Sequence, residues 1–465
     1  MLEPRRSTYV PTLIAGASAV ALVLFGTRWG SYIGVAPLFL TDILLGAATV
    51  HYLLGMWRAP RPALGIARLP ILILACSVWV IARFVLGANL GFEAIRDFAP
   101  YLYIAVAILG WHAAMRATEA EKSRTVKLLT WALALHAAWY TAQALVPTLP
   151  LLLPQLSAAQ DLHVFSPRPD VDCALIGVLA GLLLTRALEA RRWRFLNLLG
   201  FAACWGAILL SMTRAGVLGA ATATALAIVL VLAGSKAGKS RKLELVSVAP
   251  LILVAFIAIV PTTDVGTKFL ATLDPSLAAS STVAEGAAGT TRARSNAWDA
   301  VAEWTLNDPQ RAIVGVGFGP NFLVDSGASI LLVSNAEGGE DVPRSPHNFW
   351  IGTFARLGAV GLALVGAAVV MALGRTWRSR RVLTSDPLAL LTALIPAALL
   401  IPATFGVVLE SPFAAVPFWW SIGVSLALYQ RRAGTADFGR AIPARISRAR
   451  SQRPVSRVAT RAASS

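Results

Sequence analysis

Residues 345–373 read SPHNFWIGTFARLGAVGLALVGAAVVMAL. A polar run ends at Ser345-Pro346-His347-Asn348, and from Phe349 through Leu373 the chain is apolar, with Arg356 as its one charge. At 1.5 Å per residue such a run crosses the hydrocarbon core of a bilayer as a helix. Behind it lie residues 263–347, polar and loop-like in a chain that otherwise passes from one hydrophobic run to the next. The boundary places a histidine at a membrane surface, beside the one region outside the bilayer large enough to form a site.

Composition extends this reading to the whole chain. The sequence is 56% hydrophobic and 14% charged, with a mean hydropathy of +0.66, whereas soluble domains carry about a quarter charged residues. A soluble globular domain is excluded. Apolar windows of spanning length fall at 10–28, 34–57, 69–87, 98–115, 127–147, 171–188, 195–212, 215–234, 245–262, 348–373, 388–406 and 413–430. The seventh and eighth meet at Ser211-Met212-Thr213-Arg214 with almost no loop between them. The expected fold is an all-α polytopic membrane protein of about twelve transmembrane helices. Residues 1–262 hold the first nine spans, 263–347 one long external loop, 348–430 the last three spans, and 431–465 a tail.

Charge sets the orientation, because short loops rich in Lys and Arg stay cytoplasmic. With both termini inside, the cytoplasmic segments hold 30 Lys and Arg against 7 Asp and Glu, and the opposite segments 9 against 16. One span more or fewer before the long loop would reverse its side and destroy this separation. Much of the basic excess lies in the tail from Arg431, where nine Arg and one acid are interspersed with Pro, Ser and Ala. Such a tail reads as disordered and held at an anionic inner leaflet by about 1 kcal/mol per basic residue. The net charge of +17 therefore calls for no nucleic-acid partner. Cys76, Cys173 and Cys204 lie in or at the edges of spans and read as small buried apolar residues, neither a disulfide framework nor a thiolate metal site. The first apolar run follows two arginines but is long and lacks a small-residue cleavage site, so it reads as a span.

Chemistry is confined to the external face. The second external loop offers Glu93, Arg96 and Asp97, and the third Asp161, His163, Arg168, Asp170 and Asp172. In the long loop, 263–291 reads as flexible or weakly helical. From Arg292 to Asn307, Ala297, Trp298, Val301, Trp304 and Thr305 recur at spacings of three and four, marking an amphipathic helix that lies on the membrane or caps a cavity. Asp308-Pro309 ends it. Gly315-Val316-Gly317-Phe318-Gly319-Pro320 is a tight turn without the Lys-Ser/Thr of a phosphate-binding loop, and reads as a reversal that packs closely on its neighbours. Pro346 suits a first helical turn, which puts His347 at the start of the tenth span, where the helix dipole keeps the imidazole neutral. His51, His112 and His136 lie in spans or at the cytoplasmic edge. An arginine such as Arg214, between adjoining spans, is costly unless it reaches water or an anion. Arg294 opens the amphipathic helix, and guanidinium groups at both positions suit a diphosphate.

The order of these motifs resembles the O-antigen ligase and Wzy-type polymerase superfamily. It consists of Ser211–Arg214 between two central spans, Arg294–Trp298, Asp308-Pro309, Gly315–Gly319, His347–Ile351 and Gly358–Gly361. The resemblance is strongest over about 205–365. It implies a GT-C-type membrane glycosyltransferase that moves a glycan from polyprenyl diphosphate, such as undecaprenyl diphosphate, to an acceptor sugar hydroxyl outside the cytoplasmic membrane. Carried over, Arg214 and Arg294 bind and stabilise the departing diphosphate, and His347 orients or deprotonates the acceptor. No metal or other cofactor is implied, and inversion at the anomeric carbon is expected. Arg292 competes with Arg294 for its role; the spacing to Trp298 favours Arg294. The chain departs from the family at Arg356, a position often acidic there. Asp170-Val171-Asp172 looks like the Asp-x-Asp of other glycosyltransferases, although chance in an acidic loop accounts for it. The competing class is a transporter or flippase for lipid-linked saccharides, which needs similar spans and cations but no long external loop.

Overall fold

The computed structural model describes residues 12–26, 34–35, 38–58, 68–87, 91–157, 162–189, 192–211, 213–234, 263–274, 276, 281–333, 343–383 and 386–451. The described residues are helical, apart from two small antiparallel ribbons that pair Gly34–Val35 (β1) with Leu38–Phe39 (β2) and Gln155–Ser157 (β3) with Leu162–His163 (β4). The first nine helices are α1 (Thr12–Gly26), α2 (Leu40–Arg58), α3 (Arg68–Leu86), α4 (Phe92–Leu102), α5 (Val106–Arg116), α6 (Glu119–Leu145), α7 (Pro169–Glu189), α8 (Arg194–Leu209) and α9 (Arg214–Gly234). Beyond them come α10 (Asp264–Leu273), α11 (Thr282–Leu306), α12 (Pro309–Val314), α13 (Phe322–Asp325) and α14 (Ala328–Val333). The chain then closes with α15 (Phe349–Arg378), α16 (Arg380–Leu383), α17 (Pro387–Phe405) and α18 (Pro412–Ser451).

Helices occupy all the apolar windows except 245–262, which lies outside the described residues. Among the described residues six helical stretches are long and apolar enough to cross a membrane: 92–116, 169–188, 214–233, 349–378, 387–405 and 412–431. The chain is thus an α-helical, multi-pass membrane protein. At the centre stands α7, with 89% of its spanning window buried among α6, α8, α9 and α17.

Helix starts follow local capping chemistry. Thr118 and Glu121 form a reciprocal capping box at α6, and Asp386 caps α17 with Pro387 in its first turn. The same rule corrects the reading of 263–291. Thr263 accepts from the Gly266 N–H and Ser281 from the Ala284 N–H, so this stretch forms α10 and the first part of α11. The Ala-rich composition that looked featureless favours a helix once a cap starts it. The amphipathic stretch expected at 292–307 is the second half of α11, with Ala297, Val301 and Thr305 buried on one face. Likewise α18 continues past Arg431, so the tail expected to be disordered is helical in backbone as far as Ser451.

One break positions the region around the site. Within α15, Gly358 adopts φ 67° and ψ −172°, a region open almost only to glycine. The break frees the carbonyls of Ala355 and Arg356, and the glycine turn takes them up. The Val316 N–H donates to Ala355 O and the Gly317 N–H to Arg356 O, each at 2.9 Å. Approach is so close that a Cβ on Gly315 would lie 2.3 Å from the Arg356 backbone, and one on Gly358 2.3 Å from Ile313 O. The turn is therefore the tight reversal its composition suggests.

Gly315→Ala and Gly358→Ala each combine a positive φ with a backbone clash. Each should lower stability by at least about 1–3 kcal/mol, read as a drop in thermal unfolding temperature of the detergent-purified protein. Gly366→Ala, with nothing within 4 Å of its added Cβ, should be tolerated.

Candidate functional site

The corner between α8 and α9 puts Arg214 on the first residue of α9, facing α10 and α11. Its guanidinium donates to Thr291 Oγ1 at 3.1 Å and to Thr272 Oγ1, which ties three elements together. These groups line a cavity of about 660 Å³ with mixed walls. Arg214, Lys268 and Arg294 supply cations, whereas Leu218, Phe269 and Phe405 supply apolar surface.

Arg294 and Trp298 are one helical turn apart and so share a face of α11. From that face, Arg294 Nη1 donates to Phe405 O at 2.8 Å, and Trp298 Nε1 donates to Pro346 O at 2.6 Å. The motif thus fastens α11 to the end of α17 and to the residue preceding His347. Arg214 and Arg294 lie close enough to repel each other. Burial pulls the Arg294 pKa down, opposed by the nearby Asp170 carboxylate. Arg292, by contrast, is exposed.

His347 lies just outside α15. The helix is capped by Asn348, whose Oδ1 accepts from the N–H groups of Trp350 at 2.9 Å and Ile351 at 3.2 Å. Pro346 therefore precedes the helix and is not in its first turn. His347 has φ 55°, the left-handed region that non-glycine residues seldom adopt. The neutral ring expected from the helix dipole has a different cause: burial, then the charges of Arg294 and Arg168, push its pKa down to about 4. The structure thus gathers Arg214, Arg294 and His347 around α11, with Arg294 as the shared neighbour.

On the side of His347 a second cavity, about 290 Å³, is lined by Asp97, Tyr101, Arg344, Arg356 and Glu410. Asp97 Oδ2 receives Arg344 at 2.7 Å and Arg356 at 2.8 Å. Arg344 also reaches Glu93 at 3.0 Å. Arg356, at a position often acidic in the resembling family, is thus neutralised by a carboxylate from α4 and covered by the Phe322 ring at 4.9 Å. Burial raises the Glu410 pKa to about 7, against the lowering effects of a Ser345 hydrogen bond and the Arg356 charge.

The remaining candidates have local partners. Asp170 pairs with Arg168 at 3.1 Å, while Asp172 accepts from the Arg168 N–H at 2.5 Å and meets His136 at 3.5 Å. Arg168 thus meets both carboxylates at the start of α7, Asp170 through its guanidinium and Asp172 through its backbone N–H. His163 Nδ1 lies 2.8 Å from Leu153 O, and His51 and His112 line neither cavity. Cys76, Cys173 and Cys204 are buried free thiols. Among the described residues no cluster of three His, Cys, Asp or Glu is placed to hold a metal ion. Lys268, Arg344 and Glu410 were not singled out from the sequence. The clearest signal was for Glu410, an acid in the short connection between two apolar windows.

Residues 198–366 match the family model for O-antigen ligase. The match spans just over a third of the chain and supports its resemblance to the O-antigen ligase and Wzy-type family. The O-antigen ligase segment contains the corner at Arg214, all of α11, the glycine turn, His347 and the break at Gly358. It supports O-antigen-ligase-like activity in general terms. No curated protein matches the chain.

Asp97→Asn would leave Arg344 and Arg356 without their shared charge. Removing one partner of a buried ion pair costs about 3–5 kcal/mol, so this variant should unfold at clearly lower temperature, whereas Glu303→Gln, at an exposed position of α11, should not.

Proposed function

We propose that this protein transfers a glycan from polyprenyl diphosphate to an acceptor sugar hydroxyl on the outer side of the cytoplasmic membrane. The observation that carries this reading is the larger cavity, where Arg214, Lys268 and Arg294 stand against apolar walls from Leu218, Phe269 and Phe405. A diphosphate on a long isoprenoid needs both, cations for the head and a greasy surface for the chain. Guanidinium groups grip phosphate oxygens through paired, charge-assisted hydrogen bonds.

In this mechanism Arg214 and Arg294 hold the diphosphate and stabilise the charge that grows on it as the bond to the anomeric carbon breaks. His347, joined to the cavity wall through the Pro346–Trp298 hydrogen bond, orients or deprotonates the attacking hydroxyl. The arginines neutralise the leaving group, so the transfer runs without a metal, and attack opposite the leaving group inverts the anomeric centre. Twelve spans in a GT-C-type arrangement, with both termini cytoplasmic, put residues 263–347 on the outer side together with the acceptor. The basic C-terminal segment then faces an anionic inner leaflet.

The test is release of polyprenyl diphosphate by purified protein given a polyprenyl-diphosphate glycan and an acceptor. His347→Ala should lower kcat by about 10²–10⁴-fold with donor affinity nearly unchanged. Arg214→Ala and Arg294→Ala should lower both, affinity by about tenfold or more for each charge-assisted hydrogen bond lost. Lipid scrambling in liposomes without product formation would favour the flippase reading instead.

A further inference from the structure

The smaller cavity holds a carboxylate with no role in the mechanism above. Glu410 lies in the single turn Val408–Glu410 between α17 and α18, and it lines the same cavity as His347. Its Oε1 is buried with no hydrogen-bond partner, while Ser345 hydrogen-bonds to the carboxyl group. Gly352, on the first turn of α15, leaves this oxygen its room: a Cβ there would stand 3.3 Å from it. The groups facing Glu410 come from every element around it. They are Arg356 from α15, Asp97 and Tyr101 from α4, and Arg168 from the segment before α7, with His347 and Arg344 sharing the cavity.

A buried carboxylate oxygen without a partner is costly, and the residue that carries it lines the same cavity as His347. We propose that Glu410 takes the proton from the acceptor hydroxyl, and that His347 orients this hydroxyl by a hydrogen bond. The inference rests on the glycosyl-transfer reading above. In the step, the acceptor O–H bond breaks and its proton moves to the Glu410 carboxylate. The oxygen uses its electron pair to bond the anomeric carbon. The bond from that carbon to the diphosphate oxygen breaks, and its pair stays on the diphosphate, held by Arg214 and Arg294. The proton then passes from Glu410 to water. The environments of the two groups favour this division, since a base acting at neutral pH works best with a pKa near 7. Burial holds Glu410 at about 7, while burial and two arginines hold His347 at about 4.

The experiment follows polyprenyl diphosphate release by the full-length protein from about pH 5 to 9, in the wild type, Glu410→Gln and Glu410→Asp, with donor affinity measured alongside. Because the carboxylate form is the base, wild-type kcat should rise with pH through a limb near 7 and then level off. Glu410→Gln should lower kcat by about 10²–10⁴-fold, erase the limb and leave donor affinity within about twofold, a split that a packing defect would not give. Glu410→Asp, which keeps a carboxylate, should regain part of the rate and the limb. Wild-type kcat with an unchanged limb in Glu410→Gln overturns the assignment, as does loss of donor affinity in both variants. If the wild-type protein itself releases no polyprenyl diphosphate, the transfer reading fails and takes this inference with it.

Discussion

A broken helix inside an apolar bundle leaves backbone carbonyls that no water can reach, and each unpaired group there costs several kcal/mol. The break at Gly358 imposes that requirement on α15, and the glycine turn meets it with the N–H groups of Val316 and Gly317. Much of the surrounding architecture depends on this junction. Arg83 of α3 donates to Gly315 O at 2.8 Å, and Trp79 to Leu357 O at 3.2 Å. Gly319 donates to Asp97, the carboxylate that also gathers Arg344 and Arg356. Through these bonds the first two turns of α15, with Asn348 and His347 ahead of them, are fixed against α3 and α4.

The two cavities differ in charge, and the difference suits two kinds of chemistry. The larger has cations set in apolar walls. The smaller sets Asp97 and Glu410 among Arg96, Arg344 and Arg356, so its cations have carboxylates beside them. A group that must release an anion gains from the first setting, whereas one that must accept a proton is weakened by it. In the proposed reaction His347 meets this conflict directly, because the Arg294 charge assigned to the diphosphate also depresses the basicity of the imidazole. In the proposed reaction Glu410, whose pKa burial raises to about 7 against the pull of Arg356 and Arg168, resolves the conflict.

The membrane class and the apolar helices were legible because hydropathy is additive along the chain and needs no partner. Motif order was legible too: Arg214, Arg294 and His347 lie in separate elements, and the structure brings all three around α11. What could not be read were features made by distant pairs. Arg356 reads from the sequence as a lone charge in an apolar run, and its partner Asp97 lies far away in sequence. The glycine turn read correctly as a reversal, but its partner was a helix break, which a run of apolar residues does not reveal. The Ala, Ser and Thr stretch before Arg292 carried too little amphipathic pattern to read as helix, since its order comes from caps at Thr263 and Ser281 and from packing beside Arg214.

The spacing of Arg294 and Trp298 has a consequence for how the two cavities work together. One side chain grips the end of α17 and the other the carbonyl before His347, so both contacts depend on the register of a single helix. A slip of α11 by one residue, about 1.5 Å along its axis and 100° around it, would break both bonds at once. It would also carry the arginine away from the larger cavity. Arg294 and the carbonyl before His347 are thus both tied to one face of α11, so in the proposed reaction this helix helps set the distance between the diphosphate and the acceptor. Reactions between two bound partners depend on that distance to within a fraction of an ångström, which is why the arginine and the tryptophan belong one turn apart on α11.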